Sequence, residues 1–188
     1  MSLATFVVGP MFSGKSGKLT DLLNREFYAG RTAICIHPKK DLRKFYYHSG
    51  ERERNYDYLH LKDGLELTEV LKDKLSHYDI VAFEEVQFFN LPNLLSVVDF
   101  LLINKKKFFF AGLNLDSEGQ PWDVTAYLLP RCDIILKLNA VCVDCGSDVA
   151  NFSWASRDKF NKIEVGGKDK YKALCRDCFY DKRGVLNG

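Results

Sequence analysis

Read for apolar spacing, the first two-thirds of the chain alternates between short apolar runs and stretches where apolar residues recur every three or four positions. Residues 4–9 (ATFVVG), 32–37, 78–85 (YDIVAFEE), 107–113 (KFFFAGL) and 133–141 (DIILKLNAV) are runs of the first kind. Residues 15–29 carry Leu19, Leu22, Leu23 and Phe27 at helical spacing and stop at Gly30, and residues 65–77 and 91–103 also read as helices. Strands that are apolar throughout are buried on both faces, so their alternation with helices predicts a parallel sheet between helical layers. Residues 41–61 are charged, Tyr-rich and without a clean period, and are expected to form a long mobile loop. From Cys142 onward the pattern changes to a small cysteine-bearing module with a polar insertion around Gly166 and Gly167. The expected units are therefore 1–141 and 142–188.

Composition narrows this picture without redirecting it. The 188-residue chain is 46% hydrophobic and 28% charged, with a formal net charge of +2 and a pI near 8.1. That is ordinary for a folded globular chain and argues against a protein that coats nucleic acid, where pI tends to exceed about 9. The longest apolar runs, such as residues 108–113, fall far short of the roughly 20 residues of a membrane-spanning helix, so no membrane partner and a cytoplasmic location are expected.

Three motifs carry chemistry. Gly9, Pro10, Met11, Phe12, Ser13, Gly14, Lys15 and Ser16 match G-x-x-x-x-G-K-[ST] without a mismatch, after a strand and at the start of a helix. In that setting backbone N–H groups surround phosphate oxygens, Lys15 reaches the β- and γ-phosphates and the Ser16 hydroxyl ligates Mg²⁺. Glu84 and Glu85 end an apolar strand, where phosphate-loop enzymes hold Mg²⁺ and where a second carboxylate can accept a proton from an attacking hydroxyl. Cys142, Cys145, Cys175 and Cys178 form two Cys-x-x-Cys pairs with 29 residues between them, the form of a closed, structural Cys₄ zinc site. The pinned segment between the pairs can then fold over a ligand.

Together these residues resemble the compact, zinc-containing thymidine kinases. Residues 9–16 are similar to that family's phosphate loop, and residues 84–89 (EEVQFF) to its D-E-x-Q-F-F motif. Ala111, Gly112 and Leu113 with Pro121 and Trp122 resemble its A-G-L-D…P-F segment, and residues 165–171 with 175–178 its substrate loop and second cysteine pair. The fold this points to is α/β, a RecA-like parallel-sheet phosphate-loop core followed by a small zinc-ribbon domain.

The resemblance implies a role for each matching position. Glu85 would be the general base toward the nucleoside 5′-hydroxyl, with Lys15 and Arg43 on the phosphates. Residues 9–16, Glu84 and Gln87 would hold ATP and Mg²⁺. Met11, Phe88, Ser117, Trp122, Ser153 and Tyr171 would line the base pocket. Backbone groups of Lys162, Ile163, Glu164, Val165 and Gly166 would bond the pyrimidine edge. A homotetramer and feedback by the triphosphate end product are further expectations. The chain departs from the family at Glu84 (Asp there), Asn114 (Asp), Ser117 with Trp122 (both Phe) and Trp154 (a basic residue), which puts the base preference in question.

Other residues read as structural. Cys35 and Cys132 are expected in the core, and His37, His48, His60 and His77 lack spaced metal or triad partners. The basic run Lys105, Lys106 and Lys107 reads as a solvated turn. Residues 43–58 interleave Tyr and Arg and suit either a lid near the phosphates or a nucleic-acid contact. Two further readings stand beside the kinase: a nucleic-acid-binding ATPase with a zinc module, and a nucleotide sensor without turnover.

Overall fold

A computed structural model of the chain describes residues 3–38, 54–61, 66, 68–155 and 170–184. Six parallel strands form the main sheet: β1 (Ala4–Gly9), β2 (Ala33–Pro38), β3 (Asp57–Leu61), β4 (Ile80–Phe83), β5 (Lys107–Leu113) and β6 (Ile134–Lys137), in the order β3-β2-β4-β5-β1-β6. The helices are α1 (Lys15–Tyr28), α2 (Glu69–Ser76), α3 (Leu91–Ile103) and α4 (Asp123–Leu128).

Strand alternation divides the buried side chains between two faces. Phe6, Val8, Ile34, Ile36, Val81, Phe83, Phe108 and Phe110 pack with Leu71 and Leu75 of α2, Leu94, Val97 and Leu101 of α3, and Val124 and Leu128 of α4. Their neighbours along the strands, Val7, Ala33, Cys35, Ile80, Ala82, Phe109 and Ala111, face Leu19 and Leu23 of α1. The first face is aromatic and covered by several helices, and the second is largely small side chains under one helix. Each fully buried aromatic or aliphatic chain contributes about 1.5–3 kcal/mol, so this layer fixes the sheet on which the site stands.

The predicted strands and helices of the core are present, trimmed by a few residues at their ends. The segment read as a loop ends differently: Asp57–Leu61 is strand β3 on the sheet edge. Its alternation is hidden because Tyr58 and His60 take one face while Leu59 and Leu61 half-bury against the core on the other. The mobile-loop expectation for residues 41–53, including Arg43 and His48, lies outside the described residues, as does the ligand-clamping segment around Gly166 and Gly167.

Beyond the core, β7 (Phe152–Ala155) and β8 (Tyr171–Leu174) pair antiparallel, followed by α5 (Arg176–Lys182). Their small core joins Ala140, Ala150, Phe152, Leu174 and Phe179 to the buried Cys142 and Cys175, with Phe152 and Phe179 stacked at 4.4 Å. The module rests on the core through the turn at residues 115–121. Gly119 lies under the Phe179 ring, and Arg183 both donates to Glu118 O at 2.6 Å and pairs with the Glu118 carboxylate.

Candidate active site at the carboxyl edge of the sheet

The phosphate-loop residues join the end of β1 to the start of α1. Gly14 caps the helix in the left-handed region (φ 81°), and α1 has no side-chain cap bond and no acidic residue in its first turn. An anion at this end would meet the partial positive charge of the helix with no acidic side chain of the first turn opposing it. Within the loop, Ser13 Oγ donates to Pro10 O at 2.8 Å and Lys15 Nζ to the same carbonyl at 2.6 Å. These bonds hold the loop closed on itself and keep the lysine beside it.

Glu84 and Glu85 follow β4, two strands away from β1 in the sheet. Glu85 occupies the left-handed region (φ 51°, ψ 47°), unusual for a residue with a Cβ and typical of functional positions. Gln87, 5% exposed, explains how this geometry is kept. Its Nε2 donates to Glu85 Oε2 at 2.6 Å, while its Oε1 accepts from Leu113 N at 3.1 Å on β5. Gly112 makes room for this bridge, since a Cβ there would stand 2.5 Å from Val86 Cγ2 and 2.8 Å from Gln87 Oε1. Glu84 is held separately, its Oε2 accepting from the Tyr58 hydroxyl at 3.0 Å. Burial first, and then the neighbouring Cys35 and Glu84, push the Tyr58 phenol above its ordinary range, so it is an O–H donor at neutral pH. Sequence reasoning gave Tyr58 no part here; a tyrosine two strands from a carboxylate is visible only once the register is known.

Four of the residues expected in the base pocket meet in pairs. Phe88 and Trp122 meet edge to face with centroids 6.0 Å apart, and the Met11 N–H donates to Ser153 Oγ at 2.9 Å. Ser153 is 3% exposed, and Tyr171 opens the partner strand β8. Trp154, next along β7, has the Lys172 and Lys182 ammonium groups over its ring. Ser117 sits in the turn at residues 115–121, whose Asp116 carboxylate accepts from the Glu118 and Gln120 N–H groups, and that turn is tied to the cysteine module. Asn114 joins the two regions through its Nδ2, which donates to Asn151 O at 2.9 Å and Oδ1 at 3.0 Å. The aspartate of the resembling family would have no donor for these bonds. Lys162, Ile163, Glu164, Val165 and Gly166 lie outside the described residues, with Arg43.

The ligating atoms of Cys142, Cys145, Cys175 and Cys178 all lie within 4.8 Å of one another, with Cys145 and Cys175 Sγ at 3.7 Å. A tetrahedron of Zn–S bonds near 2.3 Å has edges of about 3.8 Å, so the four thiols fit zinc and leave it no open position. Although burial opposes it, backbone N–H groups of Cys175, Cys145 and Asp144 bring the Cys142 thiol down to about 6, favouring the thiolate that a metal needs. For Mg²⁺ the fit is one of donor chemistry: a carboxylate at Glu84 and a hydroxyl at Ser16, hard oxygens at the same edge of the sheet as the phosphate loop. None of the described helices is long and apolar enough to cross a membrane.

The thymidine kinase family profile matches residues 2–179. The chain is 33% identical over 177 residues to a thymidine kinase of Amsacta moorei entomopoxvirus, covering 92% of this chain and 95% of that protein. It is 35% identical over 182 residues to a thymidine kinase of Pyrobaculum aerophilum, covering 90% and 94%. Among solved structures, AMPPCP-bound DnaA from Aquifex aeolicus is similar at a TM-score of 0.47 and 14% identity, over 74% of this chain and 41% of that one, a likeness too loose to carry an argument.

Proposed function

The chain belongs to the thymidine kinase family, and from that premise we propose that it transfers the γ-phosphoryl group of ATP to the 5′-hydroxyl of thymidine or a closely related pyrimidine deoxynucleoside. The observation that carries the reading is Glu85, strained into the left-handed region and fixed by Gln87 at the edge of the sheet that also bears the phosphate loop. A carboxylate locked in this way is suited to take the proton of a hydroxyl as its oxygen attacks. In this reading the 5′-oxygen forms a bond to the γ-phosphorus, the bond to the β–γ bridging oxygen breaks, the proton passes to Glu85, and ADP leaves.

Residues 9–16 belong to the nucleotide side of this site, and Gln87, expected there from the resemblance, serves it by holding Glu85 in place. Lys15 and Arg43 place positive charge on the transferring group, with catalysis by positioning and charge stabilisation. Ser16 and Glu84 would hold Mg²⁺, which when bound neutralises the phosphate oxygens. Met11, Phe88, Trp122, Ser153 and Tyr171 form the base pocket together with residues 162–166, and Ser117 belongs to its outer wall. Residues 1–141 constitute the phosphate-loop domain and residues 142–188 the zinc domain. A cytoplasmic homotetramer regulated by the triphosphate end product completes the reading.

The test is a phosphoryl-transfer assay with ATP and Mg²⁺ across a panel of nucleosides, with Glu85→Gln as control. Thymidine phosphorylation that falls by about 10²–10⁴ in the variant, with ATP still bound, is expected. Silence across the panel in the unaltered protein, with nucleotide bound, would overturn the reading in favour of a nucleotide sensor.

A further inference from the structure

Tyr58 and Glu84 are placed by the sheet register rather than by nearness in sequence. Tyr58 on β3 pairs with Cys35 on β2, and Cys35 pairs with Ala82 on β4, two residues before Glu84. Adjacent strands lie about 4.8 Å apart, so the tyrosine reaches across one intervening strand to touch the carboxylate. It can do so because Cys35 and Ala82, both fully buried, are small. The ring is confined by His60 at 4.9 Å and His37 at 6.0 Å between centroids, and the hydroxyl donates to Glu84 Oε2 at 3.0 Å.

Resting on the reading of Glu84 as a Mg²⁺ carboxylate, we propose that Tyr58 is the positioning residue of that carboxylate, its hydroxyl fixing one oxygen so that the other serves the metal. The departure at Glu84 then has a physical partner. The extra methylene carries the carboxylate out to the phenol, and an aspartate would draw it back by more than a hydrogen bond tolerates. A glutamate at the end of a strand has several rotamers, and a charge-assisted bond from a packed ring selects one of them before the metal arrives. Tyr58 touches neither nucleotide nor nucleoside in this proposal; it acts through Glu84.

The experiment is calorimetric titration of a non-hydrolysable ATP analogue in excess EDTA and in saturating Mg²⁺. It is run on the unaltered protein, Tyr58→Phe, Glu84→Gln, Glu84→Asp and the Tyr58→Phe/Glu84→Asp pair, with thermal melts as a check on folding. Tyr58→Phe is expected to cut the Mg²⁺-dependent gain in affinity about five- to tenfold while leaving affinity in EDTA unchanged. In the Glu84→Asp background, where the carboxylate no longer reaches the phenol, Tyr58→Phe should cost nothing further. Tyr58→Leu gives the same readout if the phenylalanine variant is not folded. An unaltered gain in Tyr58→Phe, with the gain lost in Glu84→Gln, would sink the positioning role and leave the Mg²⁺ reading standing. A gain that survives Glu84→Gln would sink both. Equal weakening in EDTA and Mg²⁺, or additive losses in the double variant, would reduce Tyr58 to a structural residue.

Discussion

In the six-stranded core, Glu85 and Gln87 lie just beyond β4, whose side chains are buried on both faces, and Gln87 reaches the end of the neighbouring β5 because the two strands pair. In the module beyond residue 140, the cysteine quartet stands on two four-residue strands and a seven-residue helix, and Cys142 and Cys175 themselves count among its few buried apolar side chains. The core therefore has its geometry from hydrophobic burial and needs no ligand to keep it. The module has too little surface to bury for that, and a metal on the four thiols, together with its seat on the core, would supply its geometry. Phe179 on Gly119, Arg183 on Glu118, Asn114 on Asn151 and Ser153 on Met11 are that seat.

The largest effect expected from this contrast follows removal of the metal. Structural zinc contributes roughly 10–16 kcal/mol to such modules, so chelation or Cys175→Ser should unfold the module while the sheet persists. Hydrogen exchange would show it: residues 142–155 and 170–184 lose protection while β1, β2, β4 and β5 keep theirs. Thymidine turnover would vanish although nucleotide still binds. Simultaneous loss of protection in both regions would mean that the core is not self-sufficient.

Within the core, Gln87→Ala removes both the bond to Glu85 and the acceptor of Leu113 N. A drop in kcat of about 10–100-fold is expected, with nucleotide affinity unchanged, if Glu85 is the general base proposed above, since only Glu85 loses its fixed position. Comparable losses in kcat and nucleotide binding would place Gln87 on the phosphate side instead.

At the opposite end of the sheet, Glu26 of α1, 6% exposed, is paired with Arg31 at 2.5 Å and with Lys107 of β5. Burial opposes ionisation, yet the two cations hold the Glu26 carboxyl below its ordinary value of 4.5. A depressed carboxylate stabilises the fold fully above that value and ceases to do so as pH falls through the lower folded one. Glu26→Gln should thus cost about 1–3 kcal/mol in urea melts at neutral pH, discounted because Arg31 is half exposed, and the deficit should shrink in melts below pH 4.5. Activity of the folded variant should not change, since this cluster lies far from the carboxyl edge; altered turnover would argue that α1 transmits strain to the phosphate loop.

The sequence foretold the core strands and helices because full burial on both faces leaves an unbroken apolar run, and it foretold the phosphate loop and cysteine quartet because their spacing is itself the chemistry. Strand β3 escaped because it is short and only Leu59 and Leu61 mark its core face, too few positions to stand out in a charged, Tyr-rich stretch. Strands β7 and β8 and helices α4 and α5 are four to seven residues long, too short for a period to emerge. Of the site, Glu85 and its neighbours were legible as residue types. That Gln87 bridges Glu85 to Leu113, and that Tyr58 bonds Glu84, depends on which strands lie side by side, and no local pattern encodes strand order.

The smallest effect falls on the seam between the regions. Ser153 Oγ accepts the Met11 N–H, so a phosphate-loop backbone group is satisfied by the module and not by the core. Ser153→Ala leaves that donor without its partner in a part-buried place, a loss of about 1 kcal/mol or roughly fivefold. If the module merely caps the pocket, the loss appears in the KM for nucleoside while kcat and nucleotide affinity hold. If the module also tunes the phosphate loop, nucleotide affinity weakens too, and Ser153→Thr, which keeps the acceptor, restores it. Exchange at the Met11 amide separates these cases from simple loosening: it should quicken in Ser153→Ala without change at β4 or β5, because the bond ties one loop to one strand and nothing else depends on it.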